Sequence, residues 1–197
     1  MTRTPTFPEL ALLTLRDPHA AAEVILGWNL PKEAIWTGIA LVSVIVAMIS
    51  TLSNMLMPTE DPLGAIISAP FIYFMIAAGG FIATVHAIYW TGLMLGGRGE
   101  IRDLMVLLLW LQGLWAAAQA VMLVCVLVAP VLATFLLLFI ALATIWVFVH
   151  FISIGLQLNS MIRAVVVLIV GTIALIIGTG FLLSLIGVSS LGVPPGV

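Results

Sequence analysis

Charge is scarce in this chain. Six Lys and Arg and eight Asp and Glu occur among 197 residues, 7% charged in all against 63% hydrophobic. Soluble domains run near a quarter charged, so much of the apolar surface must face lipid rather than an internal core. The net charge of −2 gives no basic field for nucleic acid. Cysteine is nearly missing: Cys125 alone sits deep in an apolar run, cannot form an intrachain disulfide and suits a small packed residue. No Asp, Glu, Lys or Arg falls in the middle of any long apolar stretch. Ion-coupled carriers, proton pumps and voltage sensors depend on intramembrane charge, so these classes lose their footing. The motifs HExxH, GxSxG and GxxxxGKS/T are absent as well, which argues against an enzyme and leaves no catalytic residue to name.

What is present is apolar length. A helix needs about 20 apolar residues to cross a hydrocarbon layer of about 30 Å. Five such stretches fit the chain, at about 34–57, 70–95, 103–129, 131–158 and 162–186. The expected fold class is an all-α membrane protein: a bundle of five transmembrane helices preceded by a short amphipathic interfacial helix. The domain reading is a leader over 1–31, a five-span domain over 32–187 and a short tail over 188–197. Threading the stretches in order places Arg3, Arg16, Lys32, Arg98, Arg102 and Arg163 all on one side. Cytoplasmic loops collect Lys and Arg, which predicts the N-terminus inside and the C-terminus outside. Glu60 and Asp61 fall in the first outside loop and weigh little on orientation.

The leader contains Pro5 and Pro8 and lacks a clear period, so residues 1–16 are expected to be loose. Leu10 to Leu15 is too short for the apolar part of a cleavable signal. Asp17-Pro18 marks a helix start, with Asp as cap and Pro in the first turn. From there Ala21, Val24, Ile25 and Trp28 share a face, predicting an amphipathic helix over 17–28 with Trp28 at headgroup level. Pro70 is expected to separate an outer-surface piece from the second span, and Asp103 to cap the third. Gly96-Gly97-Arg98-Gly99-Glu100 is the strongest turn signal in the chain.

Polar side chains inside spans are the first candidates for function. His86 lies nine residues before Leu95, and His150 eight before Leu158. Both sit roughly 12–14 Å from the inner ends of their spans at 1.5 Å per residue. Matched depth on two helices is what a bis-His haem needs, yet a span histidine more often bonds a neighbouring helix. No cofactor is expected, and two histidines are too few for a zinc site. Gln112 and Gln119, seven apart with Trp115 between them, share one face of the third span. Interhelical hydrogen bonding is the plainer account, and a polar pathway for a lipid headgroup the sharper one. Gly92 with Gly96, and Gly171 with Gly178, are small-residue pairs that permit close helix approach.

The Asp17-Pro18 entry helix, the Leu95-Gly96-Gly97-Arg98-Gly99 turn and the short Asn159-Ser160-Met161-Ile162-Arg163 turn resemble the Yip (Ypt-interacting protein) family in its bacterial branch. The resemblance covers roughly residues 15–186. It implies a multi-pass protein of the bacterial inner membrane with a role in membrane organisation or as an accessory subunit. The implied partners are membrane lipids, further copies of the chain or other membrane proteins. Eukaryotic relatives bind Rab-type GTPases, but their Asp-Leu-Tyr-Gly-Pro and Gly-Tyr segments are absent here, which argues against a GTPase partner. Two other readings follow from the residues alone: a passive transport or lipid-translocating protein using Gln112 and Gln119, and a haem-binding electron-transfer subunit using His86 and His150.

Overall fold

The computed structural model describes residues 5–58 and 69–185. Among them all regular structure is helical: α1 (Phe7–Arg16), α2 (Pro18–Gly27), α3 (Lys32–Leu56), α4 (Pro70–Met94), α5 (Ile101–Val128), α6 (Pro130–Gly155) and α7 (Met161–Leu185). The expected outside loop with Glu60 and Asp61, the surface piece before Pro70 and the tail over 188–197 lie outside the described residues. The last five helices are long and apolar enough to cross a membrane. At 25 to 28 residues each is about 37–42 Å long, which exceeds a hydrocarbon core of about 30 Å.

These five close into a ring. α3 packs on α4, α4 on α7, α7 on α6, α6 on α5, and α5 back on α3, with α4 also touching α5 across the middle. Most fully buried side chains lie in the half of the bundle nearest Arg98, Arg102 and Arg163, hereafter the basic end. Val85, Leu104, Leu107, Phe151, Ile152 and Val167 are all completely enclosed there. The opposite half is looser: Leu127, Val128, Val131 and Phe135 are more than half exposed.

α1 corrects the expectation of a loose leader. The backbone N–H of Thr6 donates to Glu9 Oε2 at 2.7 Å, and Pro8 occupies the first turn, where its missing N–H costs nothing. Thr6-x-x-Glu9 is a capping box, a sequence signal outweighed by reading the two prolines as breakers. Hydrogen bonds from Thr6 hold the Glu9 carboxyl below its ordinary range. Arg16 ends the helix, where its charge suits the negative end of the dipole. Asp17 then breaks from α-geometry and caps α2, its Oδ1 accepting from His19 N–H at 3.1 Å and Ala20 N–H at 3.0 Å. The chain leaves α2 through Asn29, whose φ of 46° lies in the left-handed region that asparagine tolerates. α5 begins at Ile101 with Glu100 as its cap residue, so Asp103 lies within the first turn rather than capping it.

Candidate functional site

Two regions combine polar chemistry with shape: the N-terminal hairpin docked at the basic end, and a set of cavities along α5.

The hairpin of α1 and α2 packs on α5 and α6. Leu10, Thr14, Ala21, Ala22 and Ile25 are 0–1% exposed, so the contact face of both helices is fully covered. Among the described residues Thr14 makes the one polar bond across it. Its Oγ1 donates to Leu10 O at 2.8 Å and accepts from Trp110 Nε1–H at 3.0 Å. Trp110 is also the hub of an aromatic cluster, edge-on to Phe7 at 5.3 Å and to Trp28 at 5.9 Å. Edge-to-face rings at such separations attract through their quadrupoles. Trp28 therefore packs against another ring as well as lying near the basic end. Trp110 is nine residues into α5, about 13 Å from its start, so α1 lies well up the side of the bundle. A second tie joins the chain after α2 to α5, where Arg102 Nη2 donates to Leu30 O at 2.6 Å. The side of α1 away from the bundle is mixed: Leu12, at 48% exposure, stands between the exposed Glu9 and Arg16, with Leu15 at its edge.

Beside the hairpin the basic end is clasped by two turns. The N–H groups of Arg98 and Gly99 both donate to Leu156 O, at 2.9 and 3.2 Å, which ties the α4–α5 turn to the end of α6. Gly96 adopts φ +90°, open to glycine and costly for other residues. A side chain at Gly99 would overlap the carbonyl of Gly155. The Gly-rich turn singled out from the sequence is thus a structural clasp. Gly171 passes close to Ile88 on α4, whereas Gly178 faces open space, so only the first of that pair mediates helix approach. Among the described residues one ion pair occurs, His19 to Glu23 at 3.5 Å on the exposed side of α2. Pairs of that kind contribute little.

Three cavities follow α5. The first, about 180 Å³, is apolar and lies between α1, α5 and α6, with Ala11, Leu15, Trp115 and Phe139 in its wall. The second, about 380 Å³, opens between α4, α5 and α6, where Thr84, Gln112 and Thr144 supply its polar atoms. The third, about 370 Å³, lies between α3, α4 and α5 in the half away from the basic end. Ser50, Ser53, Asn54, Tyr73 and Gln119 meet in it. Gln112 and Gln119 thus share a helix face but open into different cavities. Gln119 Oε1 is buried and has no hydrogen-bond partner among the described residues.

The histidines engage their own helices. His86 Nδ1 lies 2.8 Å from Ile82 O and His150 Nδ1 2.7 Å from Trp146 O, each four residues back. A carbonyl only accepts, so Nδ1 is the donor in each of these contacts. His150 also lies against the Trp146 ring, at 4.1 Å between centroids. Neither Tyr89 nor Gln119 is bonded to either imidazole. Among the described residues no group of three or more His, Cys, Asp or Glu is placed to hold a metal.

A family model described as the Yip1 domain matches residues 12–182. No curated protein and no solved structure matches the chain. The match begins inside α1 and ends inside α7, so it takes in the hairpin and all five long helices.

Proposed function

The chain belongs to the Yip1 domain family, and from that premise we propose that it is a non-catalytic organiser of a bacterial inner membrane. It acts on lipids and neighbouring membrane proteins, as an oligomer or accessory subunit, rather than on a reacting substrate. The basic end carries Arg16, Lys32, Arg98, Arg102 and Arg163 and faces the cytoplasm under the positive-inside rule. The C-terminus then lies outside.

The docked hairpin carries this reading. Its inner face is sealed against α5 and α6, with Thr14 bonded to Trp110, while Leu12 faces outward between Glu9 and Arg16. A face that joins an exposed leucine to charged neighbours suits the boundary between headgroups and acyl chains. The cytoplasmic half then displaces lipid with seven helices, the other half with the five long ones among the described residues. A body broader in one leaflet favours membrane that bulges toward that leaflet.

Orientation is tested by thiols in a Cys125→Ser background. A membrane-impermeant reagent applied to intact cells should label Ser189→Cys and spare Asn159→Cys, and the reverse pattern would overturn the topology. The shape argument is tested by drawing tubes outward from giant vesicles that hold fluorescent protein. Molecules with the basic end outward should be enriched on the tube relative to the parent vesicle, and those inserted the other way depleted. Equal density on tube and vesicle for both orientations would remove the organising role.

A further inference from the structure

α3 and α5 both begin at the basic end and pack on each other. They meet tightly at Gly38, where an added Cβ would lie 2.7 Å from Leu109 Cδ2. Nearer the basic end a wedge of about 250 Å³ separates Lys32, Ile35 and Trp36 of α3 from Ile101, Arg102 and Met105 of α5. Ile35, at 3% exposure, belongs to its floor, while Trp36 stands at its edge with half its surface open. From Lys32 to Gly38 is about 9 Å along the helix, so the wedge is shallow and closes at the Gly38–Leu109 contact.

The wall is almost wholly carbon and includes the stems of Lys32 and Arg102, whose charged heads therefore stand at the mouth. Arg102 gives one N–H to Leu30 O at 2.6 Å, out of the five that a guanidinium carries. Lys32 is exposed, and among the described residues neither cation is in an ion pair. The acids nearest in sequence are Glu33, Glu100 and Asp103, and none of them lines the wedge. Asp103 lies on the far side of Arg102, in a small pocket with Asn29 and Leu30. Glu60 and Asp61, the acids outside the described residues, follow the opposite end of α3, about 36 Å away. The N-termini of α3 and α5 add partial positive charge at the same end.

A carbon-lined slot with two cations at its mouth matches an amphiphile whose anion sits at the boundary of its apolar part. A phosphodiester accepts from both the ammonium and the guanidinium, and the planar guanidinium can meet two of its oxygens at once. The glycerol and first methylenes then lie in the slot, where burial of each methylene is favourable. Free phosphate would use the mouth alone. Phosphatidylcholine and phosphatidylethanolamine bring an ammonium of their own beside two cations, and like charges repel.

We propose that the wedge between the starts of α3 and α5 binds an anionic phospholipid, its phosphodiester between Lys32 and Arg102 and its glycerol and upper chains against Ile35, Trp36 and Met105. This names a lipid class for the organising role, and rests on that reading only for setting the basic end at a membrane surface.

Native mass spectrometry of the full-length protein in a neutral detergent tests it. The probes are phosphatidylglycerol, phosphatidylcholine and phosphatidylethanolamine of the same acyl chains, together with free glycerol 3-phosphate. Phosphatidylglycerol should bind one per chain, about fivefold or more tighter than the other two lipids, with the preference shrinking as salt rises. Glycerol 3-phosphate should bind about a hundredfold more weakly, the equivalent of about three to four buried methylenes. Lys32→Gln should weaken phosphatidylglycerol about fivefold, the weight of one cation near an anionic lipid surface, and Lys32→Arg should retain it. Arg102→Gln should show a loss of the same size. Arg163→Gln removes an equal charge from α7, which packs on neither α3 nor α5, and should leave binding within about twofold. Equal binding of the three lipids, equal binding of glycerol 3-phosphate, an unchanged Lys32→Gln protein, or the same loss in Arg163→Gln would overturn the proposal. Sorting onto tubes drawn from pure phosphatidylcholine vesicles does not involve this site. Enrichment there without a lipid preference would therefore sink the site alone, and a preference without enrichment would support the site and sink the shape argument alone.

Discussion

The hairpin latch makes a quantitative prediction. Thr14→Val keeps the side-chain shape, removes the hydroxyl and leaves Trp110 Nε1–H facing a carbon. Thr14 is 0% exposed, so water cannot take its place without the hairpin opening. A buried donor left unpaired costs about 1–3 kcal/mol, and hydrogen bonds between membrane helices run lower, about 0.6–2 kcal/mol. The latch lies at the edge of the bundle, so a loss of about 1–2 kcal/mol in docking is expected, a factor of roughly 5–30 in the open fraction. Opening can be followed with Ala22→Cys in a Cys125→Ser background. Ala22 is 0% exposed, and a thiol there reacts with a water-soluble reagent only when α2 lifts away. The labelling rate should rise roughly 5- to 30-fold with Thr14→Val. In a Trp110→Phe background no donor is left to orphan, and the same change should then alter the rate by less than about threefold. An equal effect in both backgrounds, or no effect in either, would refute the claim that this hydrogen bond holds the hairpin down.

Gly99→Ala should lower the unfolding midpoint by several degrees, because its methyl would meet the Gly155 carbonyl. Gly113→Ala, with nothing within 4 Å of the added carbon, should be neutral or stabilising by up to about 1 kcal/mol. Glu9 sets an acid limit on the hairpin. Its pKa is depressed by hydrogen bonds from Thr6, so its contribution is present above the unfolded value and fades as pH falls through the folded one. Labelling at Ala22→Cys should therefore speed up below about pH 4, and Glu9→Gln, which keeps the acceptor and loses the charge, should flatten that rise. Purified protein should show no Soret band, and changing either His86 or His150 to Gln should preserve folding better than changing it to Leu. A haem spectrum lost on replacing either residue would revive the electron-transfer reading.

The long helices were legible because lipid imposes a demand that composition must meet. About 20 apolar residues are needed per crossing, and few other structures call for that run. Turns were legible where glycine or proline forces them, as at Gly96 and Pro130. α1 was hidden because ten residues give little periodicity and two prolines mask a capping box whose parts, Thr6 and Glu9, are in plain view. The docking of the hairpin could not be read at all. Thr14 and Trp110 are separated by 96 positions, and neither looks unusual in its own neighbourhood. Azimuth was the other blind spot. A spacing of seven put Gln112 and Gln119 on one helix face, but only the surrounding helices decide that they open into different cavities. Equal depth of His86 and His150 likewise says nothing of direction, and both rings turn back to the carbonyl four residues behind.

The account rests on α1 lying at the membrane boundary beside the bundle, with Leu12 turned to the acyl chains and Glu9 and Arg16 to the headgroups. A nitroxide at Leu12→Cys, in a Cys125→Ser background and reconstituted in vesicles, measures this directly by its collision rates with oxygen and with a water-soluble nickel complex. Leu12 is 48% exposed on the outward face of α1. The account predicts high oxygen and low nickel accessibility, placing the label below the headgroups. High nickel accessibility, equal to that of a label at Asn159 in the basic-end turn, would put α1 in water and contradict it.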